Sequence, residues 1–328
     1  MTGSARTVTI VMYHYVRPLR GRFAAIKGLD LELFRGQLAY LKRHYTPVGM
    51  NEVIAAGAGG PLPPRPVLLS FDDGYSDHWR YVFPLLAEQG MSGAFFAPSG
   101  AVLERRMLDV NKIHFLLAAG PEVGTLIDEM EGLLQAASER FSLLPLAAYR
   151  AQYLVASRLD PAEVIYLKRM LQHALPGELR SALVDQLFSR FVTADQVGFA
   201  DELYLTADQL RAMASQGMHV GSHGGQHRWL DRLPPAEQAE DIDDGLRLLD
   251  AIGQPRAGFT FCYPYGGYNA DTLQLLRERS CAAAVTTRVD LARVDAAGML
   301  ELARVDTNDL PRDPTAPLAP WTERVMRG

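Results

Sequence analysis

The sequence predicts an α/β protein of barrel type, in which parallel strands alternate with helices and one helical insertion interrupts the series. Three observations carry this. Short apolar runs recur towards both ends of the chain, each followed by a helical pattern, and repeated β-α units imply parallel strands. From about residue 104 to 203 strand patterns give way to helical blocks. A chain of 328 residues suffices for one large α/β domain with such an insertion.

In order, TVTIVMY (7–13) reads as the first strand, and Asp30 as the N-cap of a helix that puts Phe34, Leu38 and Leu41 on one face. AGAGGPLPPRP (56–66) reads as a loop, VLLSF (67–71) as a strand, 76–89 as a helix stopped by Gly90, and GAFFAP (93–98) as a third strand. Helical blocks follow at 111–119, 123–138, 161–174 and 177–192. Thr206 and Gln209 form a capping box for a helix over 207–216. Then come strand MHVGS (218–222), a Pro-started helix over 235–252, strand GFTFCY (258–263), helix 270–279, and strands AAAVTT (282–287) and LELARV (300–305). The expected domains are a barrel built from 1–103 and 204–328 and a helical insertion, 104–203, placed to serve as a lid.

Composition narrows the function. Hydrophobic residues make up 48% and charged residues 22%, as in soluble globular proteins. Net charge is −5 without a long basic run, which argues against nucleic acid as a partner. No stretch of about 18 apolar residues predicts a transmembrane segment, and MTGSARTVTIVMYHYV lacks the pattern of a leader peptide. The expected location is the cytoplasm. Cys262 and Cys281 fit a reducing compartment and suggest no disulfide framework.

Polar clusters follow the strands, where barrel folds keep their chemistry. SFDDG (70–74) sets Asp72 and Asp73 side by side at a strand end. Asp-Gly often marks only a turn. Two adjacent carboxylates at a buried strand end, however, need a cation or a shared proton, so one can bind a metal and the other act as base. HVGSHGGQH (219–227) spaces His223 and His227 four apart, which on a helical turn places both on one face. Two histidines and a carboxylate with an open position make a catalytic zinc site. His219 shares the strand parity of His223 and reads as structural. FCYPYGGYN (261–269) is either a plain strand exit or an oxyanion donor with an aromatic wall for a sugar.

In this order the clusters resemble the polysaccharide deacetylase (NodB-homology, carbohydrate esterase) family. The resemblance covers roughly 65–100 and 203–310 and the first strand, and omits the helical insertion. It implies a distorted (β/α)7-type, NodB-like barrel and a metal-dependent hydrolase acting on carbon-nitrogen bonds other than peptide bonds. Such an enzyme removes an N-acetyl or similar acyl group from a sugar. By position Asp72 is the implied base, Asp73, His223 and His227 the implied metal ligands, and Tyr265 the implied backbone donor to the oxyanion. Tyr263 and Pro264 are implied substrate contacts.

The chain departs from the common pattern in four places. Histidines end at His227, so the usual C-terminal acid is missing; the Asp-Trp segment that orients it is not evident; Cys262 stands where an arginine usually holds the base; Gly224 replaces a Ser or Thr. VMYHYV (11–16) answers the first departure. It is similar to the circularly permuted poly-N-acetylglucosamine deacetylase-like branch, in which the acid histidine arrives on the first strand. This assigns His14 as acid, with Tyr13 beside it as a substrate contact, and makes Arg304 in LARVDTND the candidate to orient the base.

The implied cofactor is a divalent metal, zinc first, with nickel, cobalt or manganese as alternatives. The implied substrates are an acetylated sugar, a glycan precursor, or a nucleotide- or lipid-linked sugar in cell-surface polysaccharide biosynthesis. The competing readings are a deformylase or other amidohydrolase on the same site, and a non-catalytic carbohydrate-binding relative.

Overall fold

A computed structural model describes residues 6–327 except 159. These residues divide by contact into two compact units. The first runs up to Pro18, through Gly28–Arg106, and onward from Asp201. The second holds Leu19–Lys27 and Met107–Ala200.

The first unit is built on a curled sheet. Its main strands are β1 (Thr7–Tyr13), β2 (Pro66–Phe71), β3 (Gly93–Ala97), β4 (His219–Ser222), β5 (Thr260–Cys262) and β6 (Ala283–Val285). They lie side by side in chain order, and each neighbouring pair is parallel. Every residue of β2 and β3 is buried, as expected of parallel strands covered on both faces. Ala292–Arg293 (β7) pairs antiparallel with the start of β1, and Val305–Asp306 (β8) pairs parallel with its end. Leu302 bridges Val285 of β6, so 302–306 runs from the last strand of the series to the first. The single strand expected over 300–305 is divided, because the segment changes neighbour along its length.

Strand parity sorts the side chains. Ile10, Leu68, Phe96, Cys262, Val285 and Leu302 share one apolar cluster on the concave side. Val11, Tyr13, Leu69, Phe71 and Phe95 face the other way. There they meet Phe34, Leu38 and Leu41 of helix α1 (Leu31–His44), which Asp30 caps by accepting from the Glu32 N–H at 3.0 Å. Thr206 and Gln209 form the expected reciprocal box at the start of α2 (Ala207–Ser215), and α3 (Pro235–Ala251) and α4 (Ala270–Glu278) follow β4 and β5.

The second unit is helical, with Asp109–Ala118, Val123–Ala137, Leu146–Tyr153, Ala162–Arg169 and Gly177–Phe191. Phe115 meets Phe199 edge-on at 4.8 Å and Phe23 at 4.9 Å, so Leu19–Lys27, expected in the barrel, belongs to this cluster. Five α-helices were not expected: Met50–Gly57, Ser99–Leu103, Leu146–Tyr153, Gln196–Leu203 and Pro320–Arg327, the last in a Pro-rich tail that reads as irregular. The longest of them has eight residues, too few for an apolar period to stand out. Among the described residues no helix is long and apolar enough to cross a membrane.

Candidate active site

Register sets the first two groups together. Tyr13 pairs with Phe71, and the Asp72 N–H donates to the Tyr13 carbonyl at 2.9 Å, so His14 and Asp72 leave adjacent strands at the same level. The parity of Ile10 and Leu68 carries both side chains to the concave side. His14 Nε2 lies 3.8 Å from Asp72 Oδ2. Asp72 is 2% exposed, whereas 42% of the His14 side chain is exposed. One partner is therefore buried and the other open to solvent.

Arg304 holds Asp72. Its Nη1 donates to Asp72 Oδ1 at 2.8 Å and to Ser70 Oγ at 3.2 Å, and its Nε donates to the Thr286 carbonyl at 2.7 Å. Nη2 reaches Cys262 Sγ at 3.4 Å. The small thiol at Cys262 leaves room for a guanidinium that comes from the far end of the chain. Burial works against charge on Asp72, but Arg304 and then His14 outweigh it, and the carboxyl lies below its usual value.

Asp73 has the opposite strand parity, yet it also faces the concave side, because its φ of 71° turns the backbone left-handed. Asp73 Oδ1 is 3.3 Å from His223 Nε2 and 3.3 Å from His227 Nε2. These three residues are buried, and Asp73 Oδ1 has no hydrogen-bond partner. Bond lengths of about 2.0–2.2 Å at tetrahedral angles put ligand atoms about 3.3–3.5 Å apart, so the spacing fits one zinc-like ion. The tautomer fits as well. His223 Nδ1 lies 2.7 Å from the Cys262 carbonyl, which can only accept, so Nδ1 donates there and Nε2 is the atom turned to Asp73. Burial opposes charge on this ring, but Cys262 and Asp73 outweigh it and hold it well above the imidazole value, so a metal at Nε2 would displace a proton. Burial lowers His227. Burial opposes charge on Asp73 too, but the two rings outweigh it and hold the carboxyl well below the carboxylate range. Two buried sets have the spacing to hold a metal, Asp73–His223–His227 and Asp72–His223–Cys262; in the second, Arg304 already donates to both the carboxylate and the thiol, which leaves the first as the candidate.

The histidine pair does not stand on a helical turn. Residues 223–227 form a loop, with Gly224 at φ 73° and His227 at φ 53°. Left-handed residues, not helical periodicity, bring the two rings edge to face at 4.7 Å. His219 is structural, as expected, with Nε2 2.7 Å from Thr260 Oγ1.

Tyr265 also has a left-handed backbone, φ 58°. Its ring stacks on Trp229 at 4.4 Å and meets His227 edge-on at 4.5 Å, which seats the Pro-Tyr-Gly turn beside the metal-ligand set. All three expected substrate contacts are buried. Tyr13 is wholly buried, stacks on Phe71 at 5.0 Å and donates to Gln37 Oε1 at 2.7 Å, because its parity points it at the helix layer. Tyr263 is 1% exposed and donates to the Leu300 carbonyl at 2.8 Å. Pro264 is buried as well.

One residue beside the ligands escaped the sequence reading. Tyr75 donates its hydroxyl to Asp73 Oδ2, leaving Oδ1 to face the histidines, while its ring stacks on Tyr15 at 4.0 Å. It lies within SFDDGY, and the signal was its position. His78, which by its place after the Asp-Asp-Gly turn reads as a residue lining the mouth, is instead fully buried, with Nε2 2.9 Å from the His14 carbonyl.

The fold and the convergence of these groups at strand ends define a hydrolase-type α/β barrel site. The chain belongs to the polysaccharide deacetylase family, whose pattern matches residues 59–125 and 187–283, half of the chain. The unmatched stretch between them falls in the helical unit. YxkH of Bacillus subtilis (strain 168), named as a polysaccharide deacetylase, is 32% identical over 102 residues, 31% of this chain and 36% of that protein. The poly-β-1,6-N-acetyl-D-glucosamine N-deacetylase of Escherichia coli (strain K12) is 41% identical over 82 residues, 24% of this chain and 12% of that protein. The chain therefore aligns with well under half the length of either. Among solved structures, the deacetylase PplD of Streptococcus pyogenes, determined with acetate, shares the fold with a TM-score of 0.59 at 19% identity, covering 95% of this chain and 96% of that one.

Proposed function

We propose that this chain hydrolyses the N-acetyl group of a sugar or glycan precursor, with Asp72 as base, His14 as acid and a divalent ion held by Asp73, His223 and His227. The observation that carries the proposal is the side-by-side placement of an Arg304-held carboxylate and an exposed imidazole next to a buried three-ligand set. A divalent ion bound there supplies the positive charge that polarises an amide carbonyl and acidifies water.

The residues divide the remaining work. Asp72, kept ionised by Arg304, accepts a proton from the attacking water. The Tyr265 N–H is assigned to the oxygen that becomes negative as the acyl carbon turns tetrahedral. The C–N bond then breaks, and His14 gives its proton to the departing nitrogen, releasing an amine and acetate. At 3.8 Å His14 and Asp72 are too close to hold an amide between them. The reacting group therefore approaches from the open side, and the exposed His14 ring turns to meet its nitrogen.

The substrate class follows from the Escherichia coli relative, whose name specifies a β-1,6-linked N-acetylglucosamine polymer. An N-acetylated glucosamine oligomer is therefore the substrate to test first. Zinc-loaded protein is expected to release acetate and free amine from it and to stop on chelation. Formate from N-formyl sugars, with acetyl sugars inert, would replace this reading with a deformylase. Binding of the oligomer without turnover under any of the four metals would replace it with a carbohydrate-binding protein.

A further inference from the structure

The loop that carries the two metal histidines lacks the hydroxyl residue its family pattern places after the first of them, and Gly224 stands there. Backbone and carboxylate contacts hold the loop on both sides. The Gly224 carbonyl accepts from the Ser99 N–H at 3.1 Å, and the Gly225 carbonyl accepts from the Gly100 N–H at 2.9 Å. On the donor side, Gly225 N–H reaches Asp241 Oδ2 at 3.1 Å and Gln226 N–H reaches Asp241 Oδ1 at 3.1 Å. Asp241, on α3, is 3% exposed.

The fit between α3 and the loop is close. A Cβ on Gly224 would lie 2.5 Å from Asp241 Oδ2, and Gly224 has φ 73°, so a side chain is excluded twice over. One turn along α3, a Cβ on Gly245 would lie 2.5 Å from Ser222 Oγ and 2.8 Å from the Gly224 carbonyl carbon. Asp241 and Gly245 thus form one helix face that receives Gly224 and Gly225.

We infer that Asp241 is a positioning residue: its carboxylate grips two successive N–H groups of the 223–227 loop and thereby sets the spacing of His223 and His227 for the ion. The inference rests on the metal reading of the site. A carboxylate suits this role, because each of its oxygens can accept and neither can donate. Asn in its place turns one acceptor into a donor facing an N–H.

The test uses the whole chain and Zn²⁺ alone, titrated against a chromophoric chelator, with Co²⁺ absorption as a second readout. Asp241→Asn should weaken Zn²⁺ binding by about 10–100-fold, the usual effect of removing an outer partner of a ligand, and change the visible spectrum of bound Co²⁺. Asp241→Glu, which keeps both acceptors, should recover part of the loss. Asp243→Asn, on the exposed side of the same helix, should bind as the wild type does. A folded Asp241→Asn protein with wild-type Zn²⁺ affinity overturns the inference, because a merely structural role lowers stability and leaves affinity alone. If Asp241→Asn does not fold, or the wild type takes up no Zn²⁺, amide exchange in the metal-free wild type decides. Slow exchange at Gly225 and Gln226 supports the grip, and exchange at the rate of an open loop overturns it. An absence of Zn²⁺ uptake by the wild type counts separately, against the proposed function.

Discussion

Asp72 is charged where burial alone would neutralise it, and Arg304 makes the difference. Removing the guanidinium leaves a buried carboxylate unpaired. Breaking a buried pair in this way costs about 3–5 kcal/mol. The sign of the pH effect follows. A carboxyl with a lowered folded pKa contributes stability above its unfolded value near pH 4, and loses it as pH falls through the folded value. Arg304→Met should therefore lower the urea midpoint at neutral pH. In the activity profile it should move the acid limb of kcat/KM to higher pH, because Asp72 then protonates sooner. An unmoved limb would show that Asp72 is not the group being titrated. Tyr75→Phe removes one hydroxyl and keeps the stack on Tyr15. It should weaken metal binding by about 10-fold or more and, by leaving a buried acceptor without its donor, lower stability by about 1–3 kcal/mol, measured by the same zinc titration and by urea unfolding. Asp72, Asp73, His223 and His227 stood out in the sequence because each sits in a strand-end cluster, whereas Arg304 was a candidate only through the family resemblance, once Cys262 occupied the usual arginine position. Tyr75 and Asp241 act through contacts that spacing does not signal: a hydroxyl reaching back two residues, and a carboxylate reaching a loop from the next helix.

Elements were legible where periodicity and caps agreed. The bounds of β1, α1 and α2 follow from an apolar run, the Asp30 cap and the Thr206–Gln209 box. Thr206→Ala should cost about 1 kcal/mol and leave metal binding unchanged, since the cap supports α2 alone. A loss of zinc affinity would show that α2 bears on the site. What the pattern could not give was the conformation of the polar ends. His-x-x-x-His reads as a helical turn by spacing, yet Gly224 and His227 at positive φ make it a loop. Asp73 follows Asp72 with the opposite parity, and its left-handed backbone is what brings both carboxylates to one site. Tyr13 shows the converse. Its neighbour His14 suggested a place in the mouth, but strict alternation carried Tyr13 to the helix layer. Within a strand parity decides, and beyond its last residue backbone handedness takes over.

At the scale of the whole molecule, the curled sheet gathers strand ends from both ends of the chain. Residues 302–306 touch β6 and β1, which is how Arg304 reaches Asp72 across 232 residues of sequence. Acid sensitivity also belongs to this scale. Burial lowers His219 and His78 to about 4. Between that value and the unfolded value of about 6.5, the unfolded chain binds more protons, so stability should fall as pH drops through this window. Urea midpoints from pH 7 to 4 check this, and His219→Gln should shrink the fall. A fall of unchanged size would mean that His219 takes no part.

The central claim is that the proton donor comes from the first strand. Its most direct test measures zinc content and acetate release together in His14→Ala. One zinc per chain is expected, as in the wild type, with a turnover lower by about 10²–10⁴-fold, the usual share of general acid catalysis. Near wild-type turnover with zinc retained would contradict it.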